Sequence, residues 1–447
     1  MNILVIGNGF DLAHGLPTKY TDFLEFCKMI SRIYKSETLD VNLFKIMCLD
    51  RSNLNEEIKQ QLLKVFASRN VQREYDENDE IIYIVTTDYP KSDELYALIK
   101  NNFWIEYFLQ CDMHGKENWI DFESEISGVI QSLDDDMHGL SQVYNIEDIV
   151  YDLSNGFLKE KYSDYLDAVQ PINPVDNGFS EGITFKEIRN KLLADLNKLI
   201  RAFEIYLTDY VERIDCKLIS PDIQRIFPKE SAKVNRIPVY DVHVLSFNYT
   251  NTYQRLYIDK AQDNKYFENY IDYIHGKANI NNSMESNNMV LGIDEYLPKK
   301  RKNKDIEFIV FKKFYQRILK QTGCKYKNWV EILDRELKAY QRELGKIKDD
   351  MLYNEHVRDL KKKYLGKHKL YIFGHSLDVT DKDILRDLIL NDNVHTTIFY
   401  YNKDTMGKQI ANLVKVIGQD ELIRRTGGST KTIEFKLQKP MESIEEN

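Results

Sequence analysis

The chain has 447 residues, enough for roughly one to three domains. Its 62 Lys and Arg are outnumbered by 71 Asp and Glu, and the net charge of −9 argues against a broad basic surface for duplex nucleic acid. Apolar residues make up 43% and charged residues 30%, which excludes a disordered chain, and no apolar run approaches the roughly 18 residues of a membrane span.

Taken in chain order, Asn2–Ile6 is a short apolar run closed by Gly7-Asn8-Gly9. No positive region precedes it and no small-residue cleavage site follows it. It therefore reads as a buried first strand rather than a signal peptide, and the expected location is cytoplasmic. Thr18 or Thr21 can cap a helix through Phe23–Ile30. Residues 31–236 read as mostly helical, with apolar stripes in Asp93–Gln110, Asn118–Leu133 and, most regularly, Thr184–Ile214. Residues 69–92 read as a charged loop with a candidate strand. Strand character returns at Val239–Phe247, Tyr270–Ile274 and Met289–Ile293. A charged helical stretch, 300–366, leads to strands at His368–Phe373, Thr396–Tyr401 and Thr432–Leu437, with a helix at Thr405–Ile417. Short apolar strands separated by helices predict a mainly parallel sheet with helices on both faces. The expected division is a discontinuous α/β core (1–30, 237–299 and 367–447), a helical insertion (31–236) and a charged helical segment (300–366). The five cysteines, Cys27, Cys48, Cys111, Cys216 and Cys324, form no CxxC pair and read as buried free thiols.

Ligands of open α/β sheets bind beyond the carboxyl ends of the strands. Three polar clusters follow strands here. Gly7-Asn8-Gly9-Phe10-Asp11 lets the backbone turn tightly, either to approach a phosphate or simply to connect strand and helix, since the full GxGxxG fingerprint is absent. Ser246-Phe247-Asn248-Tyr249-Thr250 offers an asparagine able to hold a ribose hydroxyl or a water, and Ile274-His275-Gly276 offers a general base. Their alternatives are a turn asparagine and a core histidine. Gly374-His375-Ser376-Leu377-Asp378 suits contact with a nucleotide, whereas Asp378 and Asp381 serve more readily as helix caps than in catalysis. Trp119 reads as core, with Glu123 reaching a helix end or a basic side chain; the alternative is that Trp119, Asp121 and Glu123 close over the site as a lid. His14 reads equally as a cap or a ribose contact. The acidic-basic run Asp334–Lys338 reads as a solvated helix face before it reads as a nuclease centre.

Ile6–Thr18, Ser246–Thr250, Ile274–Gly276 and Phe373–Asp378 together resemble the AbiH family of bacterial abortive-infection proteins, as do Trp119–Glu123, Leu291–Glu295 and Phe311–Gln316. The resemblance runs to about residue 390 and implies anti-phage defence, with an unidentified phage trigger. The order of GxG turn, strand-Asn, His-Gly and Gly-x-Ser is also similar to the sirtuin-like domains. That resemblance implies a Rossmann-like core in which Gly7 and Gly9 lie near the pyrophosphate of NAD, with Asn8, Phe10 and Asp11 as further cofactor-binding candidates. Asn248 and Ser246 would lie at the nicotinamide ribose, with Asn248 positioning ribose or water. His275 would be the base and His375 a second acid at the site mouth. Gly374, Ser376 and Asp378 would fall on the adenosine side. Sirtuin deacylases have an aspartate two residues after the asparagine, where this chain has Thr250. They also carry two CxxC pairs that are missing here, and Asp11 stands where they usually have a small polar residue. The expectation is hydrolysis of NAD as substrate, with no further cofactor or metal. Nucleotide sensing without turnover is the alternative. Family analogy adds a homo-oligomer, and no membrane partner is expected.

Overall fold

The computed structural model describes residues 1–35, 41–69, 74–75, 81–82, 91–114, 121–139, 185–226, 230–234, 237–240, 242–258, 270–347, 353–365, 368–428 and 431–444. The chain divides into two compact units. One comprises Met1–Leu16, Cys216–Lys277 and Gln321–Asn447, and the other Pro17–Asp215 and Ala278–Lys320. The cuts thus fall at 16, 215, 277 and 320, where the sequence suggested 30, 236, 299 and 366.

The first unit holds a six-stranded sheet: β1 (Asn2–Ile6), β2 (Val242–Ser246), β3 (Ile271–Tyr273), β4 (His368–Phe373), β5 (Val394–Tyr400) and β6 (Ile433–Leu437). Every pairing is parallel, and the spatial order is β6-β5-β4-β1-β2-β3. Read from the β3 edge this is 3-2-1-4-5-6, the order of doubly wound sheets, with its reversal between β1 and β4. Alternation along β1 explains why both faces are covered. Ile3 and Val5 join Leu245, Leu370, Ile372 and Ile398 against Ile384, Leu388, Leu413 and Val416. Leu4 and Ile6 join Val244, Ile271, Phe373 and Phe399 against Phe10, Tyr253 and Tyr257. A strand buried on both faces needs a continuous apolar run, which is what Asn2–Ile6 supplies.

The expected strand at Met289–Ile293 is absent; only one bridge, Ile293 to Lys312, forms there. The Gln316 amide accepts from the Leu291 N–H (3.2 Å) and donates to the Leu291 carbonyl (3.0 Å), so a side chain takes the groups a strand would have paired. Gly292 packs on the Phe311 carbonyl, where a Cβ would come within 2.3 Å. The Val239–Phe247 candidate is two strands: Ile237–Tyr240 pairs antiparallel with Glu230–Val234, and β2 enters the sheet. Residues 300–312 are largely turns, and helices follow at Lys313–Leu319, Tyr326–Leu344 and Tyr353–Tyr364.

The second unit is built on helices, among them Tyr20–Lys35, Glu56–Arg69, Ser92–Ile99, Phe103–His114, Phe122–Gly139 and Phe185–Ile205. The stripe across 93–110 is broken because Asn101 adopts a left-handed conformation (φ 53°). The Asn102 side chain then caps the next helix, accepting from the Trp104 and Ile105 N–H groups. Trp119 and most of 69–92 lie outside the described residues. Among the described residues, no helix is long and apolar enough to cross a membrane. Cys27, Cys48, Cys111 and Cys216 are buried free thiols, while Cys324 is exposed.

Candidate functional site at the strand ends

The pairing register brings four strand ends to one level. Ile6 is opposite both Ser246 and Phe373, and Ser246 is opposite Tyr273. Gly7, Phe247, Ile274 and Gly374 therefore leave the sheet together. Main-chain bonds extend the alignment beyond the strands: Gly7 N–H to the Phe373 carbonyl (3.2 Å), Phe247 N–H to Ile6 (2.9 Å), Ile274 N–H to Ser246 (2.8 Å) and Gly9 N–H to Gly374 (2.8 Å).

Around the β1–β4 switch point the two glycine turns are pressed together. Gly374 has φ +67°, and a Cβ there would lie 2.2 Å from the Phe10 nitrogen. A Cβ on Gly7 or Gly9 would come within 2.8 Å of the His375 or Gly374 backbone. Close approach of the two loops is thus a sufficient reason for all three glycines. Asn8 and Ser376 are the exposed polar residues of these turns, and the Ser376 carbonyl accepts from Asn412 (3.0 Å). Phe10 is fully buried against Phe373, Tyr253 and Tyr257.

Two polar clusters occupy the strand ends. In the first, the Asp11 carboxyl is 1% exposed and its Oδ2 accepts from the Thr250 hydroxyl (2.7 Å), which itself accepts from Thr252 (3.0 Å). Burial pushes the Asp11 pKa up from 3.8 to about 6, opposed by the Thr250 and Thr252 hydroxyls, the nearby Asn248 amide and the Arg255 charge. Ser246 fixes the Asn248 backbone, its Oγ donating to the Asn248 carbonyl (3.1 Å) and accepting from the Asn248 N–H (3.2 Å). The Asn248 side chain is buried beside the Asp11 carboxyl, and its contact with that carboxyl lacks good hydrogen-bond geometry.

In the second cluster, His275 and His375, both buried, face one carboxylate. His275 Nε2 is 3.2 Å from Asp381 Oδ1, and His375 Nε2 is 3.5 Å from Asp381 Oδ2. His375 Nδ1 accepts from the Leu377 N–H (2.9 Å), which leaves its proton on Nε2, toward Asp381. The Phe247 ring packs edge-on against both imidazoles, at 5.5 and 4.3 Å. Among the described residues, no group of three or more His, Cys, Asp or Glu is arranged to hold a metal ion.

All the expected site residues thus belong to one unit and to neighbouring strand ends, but they sort into these two clusters. The Asn248 amide keeps company with Asp11, and no hydrogen bond joins it to His275. Asp378 is a cap, accepting from the Thr380 N–H (3.0 Å). Asp381 instead turns its side chain to the histidines; the sequence marked it only as a cap, and its spacing from the other motifs carries no signal. Thr250 and Thr252 were likewise missed as partners of Asp11. His14 is the C-cap of the helix Asn8–Ala13, its main-chain N–H bonding the Asp11 (3.0 Å) and Phe10 (3.3 Å) carbonyls, as one of its two expected readings had it. Its Nδ1 donates to the Phe10 carbonyl (2.7 Å) and its Nε2 accepts from the Tyr257 hydroxyl (2.7 Å), which accepts from the Ser220 N–H (2.7 Å). Burial lowers its pKa to about 4. In the Asp334–Lys338 run, Asp334 accepts from Asn391 (3.0 Å) and Glu336 meets His368 (2.7 Å), both packing roles.

Fold and strand ends define a parallel α/β protein with a buried polar cluster beside the switch point of its sheet. The family described as bacteriophage abortive infection AbiH matches residues 3–402, and the chain belongs to that family. This membership points to a role in phage abortive infection. No curated protein and no solved structure matches the chain.

Proposed function

We propose that the protein is an anti-phage effector that hydrolyses NAD at the nicotinamide–ribose bond, using the strand-end clusters of a Rossmann-like, sirtuin-like core. The carrying observation is the Asn248 amide, buried against the Asp11 carboxyl beside the switch point, with its oxygen left without a hydrogen-bond donor. At the carboxyl edge of the sheet, where ligands of such folds bind, a ligand hydroxyl or a water would complete that oxygen.

The chemistry asks little of the protein. The leaving group departs from a cationic pyridinium as a neutral pyridine. The site need only support an oxocarbenium-like state and present water. In this reading Asn248 positions ribose or water and His275 accepts the proton. Asp381 orients His275, and the exposed Asn8 and Ser376 meet the phosphate and adenosine portions. Acid–base help of this kind is worth roughly 10²–10⁴-fold. Asn248, His275 and His375 are each at most 6% exposed, so turnover requires the strand-end loops to open. Such closure suits an effector held inactive until infection.

A second reading, a nucleotide sensor without turnover, is favoured by Thr250. No carboxylate stands two residues after Asn248, and the Thr250 hydroxyl is committed to Asp11. Protein purified before and after phage challenge, incubated with NAD, separates the two. Wild type is expected to release nicotinamide, with Asn248→Ala and His275→Ala losing both turnover and phage protection. Thermal stabilisation by NAD without product would support the sensor. Protection lost in both variants with no turnover and no binding in any state would overturn both readings.

A further inference from the structure

We infer that His375 is a positioning residue that sets the proton affinity of His275 through the carboxylate the two imidazoles share, an inference that rests on the reading of His275 as the base. His275, His375 and Asp381 are 6%, 5% and 7% exposed, so water screens the three groups little. One imidazole reaches each carboxylate oxygen, His275 Nε2 at Oδ1 and His375 Nε2 at Oδ2. The His375 ring is fixed by its own backbone. Leu377 is fully buried at φ 61°, left-handed for a branched residue, and that turn delivers the Leu377 N–H to His375 Nδ1. Gln409, on the helix Lys403–Ile417, donates to the His375 carbonyl (3.1 Å) and holds the same turn. With Nδ1 accepting, the ring's proton lies on Nε2 and points at Asp381.

The Phe247 and Tyr249 rings, from the loop after β2, pack against His275, and Phe247 also against His375; neither brings a charge. Asp378, three residues after His375, is turned to the Thr380 N–H. A buried carboxylate beside a lone histidine holds that histidine protonated, which spoils it as a base. A second N–H donated to the carboxylate offsets that pull. It leaves the His275 ring neutral before the reaction, while Asp381 still stabilises the charge that arrives when His275 takes a proton.

The test separates the two nitrogens of His375. His375→Asn keeps an acceptor where Nδ1 stands and removes the donor facing Asp381; His375→Gln keeps a donor of that reach and removes the acceptor. In the full chain, isotope-labelled at the histidine Cε1, the His275 resonance is assigned by its loss in His275→Gln and followed by NMR between about pH 5 and 9. Nicotinamide release from NAD is followed over the same range with protein purified after phage challenge. His375→Asn is expected to raise the His275 midpoint by about one pH unit and to move the acid limb of nicotinamide release up with it. His375→Gln should stay near wild type, and Asp381→Asn should lower the midpoint by about as much. In the Asp381→Asn background, His375→Asn should add nothing, because the coupling runs through the carboxylate. A role confined to holding the turn gives the opposite order, a wild-type midpoint in His375→Asn and a displaced one in His375→Gln, and overturns the coupling. A shift that persists without the Asp381 carboxylate overturns it too. Should His375→Asn not fold, the other two variants decide: a midpoint displaced in Asp381→Asn alone supports the coupling, and one that ignores Asp381→Asn overturns it. The expected midpoints with no nicotinamide released by wild type support the coupling and overturn the reading of the site as an NAD hydrolase.

Discussion

Each unit holds a buried polar network, and the two networks differ in how fully their carboxylates and amides are paired. In the helical unit, Lys313 Nζ lies 2.7 Å from Glu123, Lys312 Nζ lies 2.7 Å from Glu295, and all four side chains are largely buried. Glu204, fully buried, accepts from Arg201, from the Asn279 N–H and from the Asn282 and Asn287 amides, so both its oxygens are used. At the strand ends of the sheet unit, the Asn248 amide meets the Asp11 carboxyl without a well-formed hydrogen bond. A satisfied buried network specifies a conformation, while an unsatisfied one is destabilising by itself and is kept for what it binds. The lysine–glutamate pairs are architectural, and under the function proposed above the Asp11–Asn248 group is the one that meets a ligand.

The strongest way to break this contrast is to remove one partner of an architectural pair. Lys313→Met leaves Glu123 buried without its cation, and the expected loss is about 3–5 kcal/mol in urea unfolding. Replacing both, Lys313→Met with Glu123→Leu, should restore much of that loss; a double variant as unstable as the single one would show that the pair does more than neutralise charge. At the strand ends the expectation reverses. Asn248→Leu deletes a buried amide that forms no well-formed hydrogen bond, so stability should hold or rise while phage protection is lost. Unfolding and plaque assays on the same variant decide it, and a fall of about 2 kcal/mol or more would make Asn248 a structural residue.

The architectural half was partly legible in the sequence. A glutamate reaching a basic side chain was expected of Glu123, and the strands at β1 and β4 followed directly from their apolar runs. The segments 291–295 and 311–316 stood out in composition, yet nothing in their spacing showed that they meet through Gln316 and Lys312. Met289–Ile293 misled because an apolar run signals burial, and burial there is met by a side-chain amide instead of a ladder. The site was legible as three strand ends and illegible as chemistry. Asp11 and Thr250 are 239 residues apart, and His275 and Asp381 lie on separate strand ends, so only the register of β1, β2, β3 and β4 reveals that they touch.

A smaller effect follows from titration, where Asp11 and His14 oppose one another. The Asp11 pKa is raised from 3.8 to about 6, so the unfolded state ionises first and the native state is progressively penalised as pH rises from about 4 to 6. The His14 pKa is lowered from 6.5 to about 4, so the unfolded state binds the proton first and native stability falls as pH drops from about 6.5 to 4. Each shift is a little over two units, on the order of 3 kcal/mol, with opposite sign over nearly the same window. In wild type these two contributions should largely cancel between pH 4 and 6. Asp11→Asn removes one and exposes the other: relative to wild type the variant should gain stability at pH 7 and lose that advantage steadily as pH falls toward 4. His14→Gln should show the reverse slope, becoming relatively more stable as the medium is acidified. Chemical unfolding of the three proteins at half-unit pH steps reads both slopes, and parallel curves for wild type and Asp11→Asn would mean that Asp11 ionises as an ordinary solvated carboxylate, removing the electrostatic side of the contrast between the two units.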